Sequence, residues 1–130
     1  MDSTPSSADL LAGPLTMWNG PLGLPAFDRI EDSAFAAAFD AAFAAHEAEI
    51  AAIAEDGDAA TVENTLVALE LSGDALSRVS AIFWCRAGAH TNETIQKLER
   101  EISPRMARHL SRIFTNDALF HRIDTLYEAR

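Results

Sequence analysis

At 130 residues and 14.1 kDa the chain has the length of one ordinary domain. A formal net charge of −10 argues against a nucleic-acid binder and against attraction to an anionic membrane surface. The lone Cys85 excludes an intrachain disulfide and suits a reducing compartment, no apolar run is long enough for a membrane span, and no secretory leader is visible, so a cytoplasmic domain is expected.

Of the 48% apolar residues, 25 are alanines, so the core rests on the phenylalanines and the larger aliphatic side chains. Charge is divided unevenly. Residues 1–74 carry −13 and residues 75–130 carry +3, so the two halves are expected to face each other.

The lead segment, 1–27, holds four of the five prolines and three of the six glycines, which predicts irregular backbone. Residues 1–9 are expected to be disordered. Residues 10–27, with Leu15, Trp18 and Phe27, are expected to lie extended across a helical body at 28–130. From Asp32, read as a cap, the pattern changes. Ser33–Ala54 lacks Gly and Pro, and Phe35, Phe39, Phe43, His46, Ile50 and Ile53 recur at helical steps. Asp56-Gly57-Asp58 reads as the turn that follows.

Thr61 offers the next cap, and a helical period then runs from Val62 to Gly88. Gly73 weakens the case for one continuous helix, and its small size would also let another helix approach closely. A third run opens at Thr91, with Ile95, Leu98, Ile102, Met106, Leu110 and Ile113 on one face and a kink expected at Pro104. After the Thr115-Asn116 cap, Leu119, Phe120, Ile123, Leu126 and Tyr127 predict a final helix that reaches Arg130 without a stop signal, as expected of a fragment of something longer. The fold class is all-α, an antiparallel bundle of about four long helices.

Catalytic chemistry is harder to find. His46-Glu47-Ala48-Glu49-Ile50 begins like a zinc-peptidase helix, but Ile50 occupies the place of the second histidine. His46 then reads as a core or boundary residue, and His90, His109 and His121 form no chelating pattern. Cys85 and His90 point apart on a helix, and Cys85 is expected to be a buried thiol beside Phe83 and Trp84. Arg105, Arg108 and Arg112 have the chemistry to grip a carboxylate, yet read more simply as a solvated face paired with acids. No catalytic, cofactor-binding or metal-ligating residue is assigned.

Several segments in order carry a resemblance: Trp18–Ile30 (WNGPLGLPAFDRI), His46–Ile50, Thr61–Leu66 (TVENTL), Leu76–Val79 with Gly88–Asn92 (GAHTN), Glu101–Pro104 and Asn116–Phe120. Together they resemble the N-terminal region of the thimet oligopeptidase family of zinc metallopeptidases, the oligopeptidase A and peptidyl-dipeptidase group. The Pro25–Ile30 and Gly88–Asn92 stretches look nearest the dipeptidyl carboxypeptidase branch. The resemblance implies a helical channel wall in a longer enzyme that releases C-terminal dipeptides from short peptides. Its zinc site would lie downstream, so the 130 residues alone are expected to be inactive. Short peptides and the remainder of the same polypeptide are the implied partners. A free-standing helical interaction module is the competing reading.

Overall fold

The computed structural model describes residues 5–130, and all regular elements among them are helical. Helix α1 spans Ser7–Leu11, α2 Ala34–Ala54, α3 Ala68–Leu71, α4 Asp74–Ala89, α5 Glu93–Phe114 and α6 Asp117–Glu128. Short 3-10 turns occupy Pro21–Gly23 and Phe27–Arg29, and a π-helical segment, Val62–Val67, runs directly into α3. The expected all-α bundle is borne out.

Helix α2 is central and packs against α4, α5 and α6. Its expected face holds: Phe35, Phe39, Phe43, Ile50 and Ile53 are all buried. Phe83 of α4 receives Phe35 and Phe39 edge-on at ring-centroid distances of 5.3 and 5.2 Å, a geometry that aligns aromatic quadrupoles favourably. Ile95, Leu98 and Ile102 of α5 complete this larger core, while Ile50, Ile53 and Leu119 form a smaller one beside α6.

Several expectations need correction. Ser7–Leu11 is one short helix, where disorder was expected through residue 9 and an extended path from residue 10, because Ser6 and Asp9 close a reciprocal capping box; residues 1–4 of the expected disorder lie outside the described residues. Leu15 is buried against the main core and Trp18 packs beside it, whereas Leu22 is fully exposed. Asp32 does not cap α2. Its carboxylate accepts from Asn92 Nδ2 at 2.6 Å and lies 3.4 Å from Arg86, tying the start of α2 to the junction of α4 and α5.

The run from Val62 to Gly88 is broken at Ser72-Gly73, where Gly73 takes a left-handed φ of +74°. Pro104 sits inside one uninterrupted α5, as the preserved apolar phase implied. Toward the end of α5 the buried face turns by one residue, so His109 is enclosed and Leu110 is exposed. On α6, Arg122 is buried while Phe120 and Tyr127 face outward.

The two halves of the chain do meet through opposite charges. Arg105 pairs with Asp40, Arg112 lies 3.6 Å from Glu47, Arg86 approaches Asp32, and Arg122 lies 3.5 Å from Asp56. In each pair the base lies in residues 75–130 and the acid in residues 1–74.

Candidate functional site

Polar groups concentrate where the C-terminal halves of α2 and α5 converge on the turn between α3 and α4. Helix α2 presents Phe43, His46, Glu47 and Glu49, and α5 presents Arg105, His109 and Arg112. Helical spacing explains the set: residues three and four apart share a face, so His46 follows Phe43 and His109 continues the Ile102–Met106 row.

His46 and His109, 63 positions apart, meet through Nδ1 and Nε2 at 2.9 Å. The other nitrogen of His46 lies 3.2 Å from Ser72 Oγ. The Ser72 hydroxyl donates to the Leu69 carbonyl at 2.7 Å, and the Gly73 N–H donates to the Glu49 carboxylate at 2.6 Å. A side chain at Gly73 would place its Cβ 2.7–2.9 Å from the His46 ring, so close approach and backbone conformation both require glycine. This is the close helix approach that the sequence allowed.

His109 is almost wholly enclosed, at 4% exposure, with the Phe43 ring edge-on at 5.0 Å. Its Nδ1 faces Glu47 at 3.8 Å, beyond hydrogen-bond reach. Burial holds His109 below the ordinary imidazole range; Glu47 opposes that shift, and Arg112 and Arg105 reinforce it. Burial and neighbouring His109 lower His46, with Glu49 acting against them. Both imidazoles are therefore neutral near pH 7.

Two grooves flank the joint. One, of about 320 Å³, is lined in part by Ile50, Ala54, Arg112 and Ile113; the other, of about 270 Å³, by Phe43, Arg105, Arg108 and Arg112. Glu47 and His109 border both. Arg105 stacks over the Phe43 ring at 4.4 Å as well as pairing with Asp40, so the arginine face is largely matched by acids, as expected.

A second polar centre lies near the smaller core. The Arg122 guanidinium donates to the Asp56 and Asp58 carbonyls at 2.7 and 3.0 Å and to Asn64 Oδ1 at 3.0 Å. It fastens the Asp56–Asp58 turn and the start of the π-helical segment to α6.

Cys85 departs from expectation: it is exposed and lines a shallow apolar groove with Phe27, Ala89 and His90, because its direction on α4 leads away from the Phe83 side. No cluster of three or more His, Cys, Asp or Glu with metal-binding geometry occurs among the described residues. His46 itself is committed, one ring nitrogen to Ser72 and the other to His109, which does not fit a zinc ligand. The sequence does contain one clue to His109: positions 95, 98, 102, 106, 109 and 113 continue at steps of three and four, provided a histidine is allowed on the apolar row.

What these observations define is a helical scaffold with an internal polar joint. No protein-family model matches the chain. Over 110 residues, 85% of the chain, it is 40% identical to the dipeptidyl carboxypeptidase of Salmonella typhimurium and 37% identical to that of Escherichia coli. The resemblance to the N-terminal region of the dipeptidyl carboxypeptidase branch of the thimet oligopeptidase family is thereby borne out. The chain spans 16% of the length of these relatives.

Proposed function

We propose that these residues form the N-terminal helical part of a cytoplasmic zinc metallopeptidase that releases C-terminal dipeptides from short peptides, and that they build part of the wall of its substrate channel. The observation that carries this reading is the 37–40% identity to dipeptidyl carboxypeptidases over 85% of the chain. The exposed apolar residues support it as well: Phe114 at 82% and Phe120 at 63% exposure border a groove with Leu69, Ile113 and Ile123, a surface suited to packing within a larger helical protein. No helix among the described residues is long and apolar enough to cross a membrane.

Zinc, when bound, activates water for attack on a peptide carbonyl. The described residues do not fit that ion, so its ligands would come from the remainder of the polypeptide. The contribution of this chain is structural: a packed α2–α4–α5 body that limits which peptides reach the catalytic part.

The test has two arms. The first reads the parent gene beyond Arg130 for a His-Glu-x-x-His helix. The second compares the full-length protein with residues 1–130 on a blocked short peptide at equal zinc. Turnover confined to the full-length protein, with free dipeptide as product, is the expected result. A parent gene without the motif would sink the peptidase reading and leave the interaction module, for which the apolar surface at Phe114 and Phe120 would be the docking face.

A further inference from the structure

The proton positions of the two imidazoles follow from one hydroxyl. Ser72 Oγ lies 2.7 Å from the Leu69 carbonyl, which has no proton to offer, so the hydroxyl proton is committed there. Ser72 Oγ must then accept from His46 Nε2 at 3.2 Å. A neutral His46 with its proton on Nε2 presents a lone pair at Nδ1, and His109 Nε2, 2.9 Å away, donates to it. Neutral His109 is left with no proton on Nδ1. That nitrogen is buried, lacks a hydrogen-bond partner and faces a Glu47 carboxylate oxygen at 3.8 Å. The buried Nδ1 lone pair and the half-exposed Glu47 carboxylate repel each other, and a single proton between them turns that repulsion into an attraction.

From this geometry we infer that His109 Nδ1 is a proton-binding site, at which mild acid protonates the imidazole and draws Glu47 into a direct hydrogen bond, away from Arg112. The step forms one N–H bond with a proton from solvent, and His109 Nε2 keeps its bond to His46. The groups around it set its range. On α2 stand His46, Glu47 and, bonded to Gly73 N–H, Glu49; on α5 stand Arg105, Arg108 and Arg112; the α3–α4 turn offers only the Ser72 hydroxyl. Glu47 favours uptake, whereas burial and the arginines oppose it. Protonation trades the outer Arg112–Glu47 pair, now at 3.6 Å, for an inner His109–Glu47 pair and leaves Arg112 free beside Arg108. The groove lined by Phe43 and these arginines gains one positive charge.

The experiment is nitrogen-detected NMR of the full chain labelled at histidine, followed from pH 8 to 5. His46 and His109 are expected to carry their protons on Nε2 at high pH, and His109 is expected to titrate before His46. Glu47→Gln should lower the His109 midpoint by about one pH unit, as loss of a nearby opposite charge does. Arg112→Gln should raise it, the opposite sign, with the helical circular dichroism and denaturation midpoint of each variant checking that it retains its fold. A proton already on Nδ1 of His109 at pH 8 overturns the inference. So does a midpoint insensitive to both substitutions, and so does equimolar zinc binding His109 Nδ1 at pH 7, which would assign the gap to a metal cation.

Discussion

The two halves of α2 are held by different physics. Its N-terminal half sets Phe35 and Phe39 against Phe83 in a dry aromatic cluster, where all three rings are fully buried. Its C-terminal half meets α5 and the α3–α4 turn through His46, Glu49 and His109, where each contact depends on a donor aimed at an acceptor. Dispersion and water exclusion depend on buried volume and close contact, whereas a buried polar contact fails when one partner is lost. The aromatic half contributes through buried apolar volume, whereas the C-terminal half adds directional polar contacts to the burial of Ile50 and Ile53.

The most direct way to break this contrast is at the aromatic end. Phe39→Ala should cost about 3–5 kcal/mol in chemical denaturation, from lost burial plus the cavity left beside Phe83. A loss below about 1 kcal/mol would mean that the dry cluster is not the main support. Next is Arg122→Met, which keeps bulk but strands the Asp56 and Asp58 carbonyls and Asn64. It should cost about 2–4 kcal/mol and loosen amide-exchange protection in the Asp56–Asp58 turn before the aromatic core is affected.

Glycines sharpen the comparison further. Gly73→Ala is expected to cost about 1–3 kcal/mol, from left-handed backbone strain and collision with His46. Gly88→Ala, in α4 with open space around the new methyl, should stabilise by about 0.5 kcal/mol, because alanine suits a helix better.

The smallest effect is the pH dependence. Both His46 and His109 bind a proton less readily in the folded chain than at the ordinary imidazole value of 6.5, so the unfolded chain takes up more protons in that range. Their contribution is fully present above 6.5 and is lost as pH falls through 6.5 toward the lowered folded values. Denaturation midpoints measured at pH 7.5 and 5.5 should differ in that direction, and His109→Gln should shrink the difference.

The aromatic half was legible because its information is local. Phe35, Phe39 and Phe43 recur at helical steps in a stretch without Gly or Pro, and the Asn116 cap and the break after Ala54 also follow from neighbouring residues. The polar half was not, because its partners are far apart in sequence: His46 and His109 are separated by 63 positions, Arg122 and Asp56 by 66. Read in isolation, each histidine resembles an ordinary boundary residue. Cys85 departs from expectation for a related reason, since residue type favours burial of a thiol while direction on the helix decides it.

By itself the sequence determined that the chain is helical, which face α2 buries, that its acidic and basic halves attract, and which peptidase branch it resembles. Periodicity, capping and charge act through neighbours a few residues away or through sums over long stretches, so they can be read without coordinates. Tertiary structure alone decided that Gly73 ends one helix against His46, that His109 rather than Leu110 turns inward, and that Arg122 is buried. Those outcomes depend on where two helices cross, and that angle is set by the shapes of side chains remote from the residues whose burial it determines.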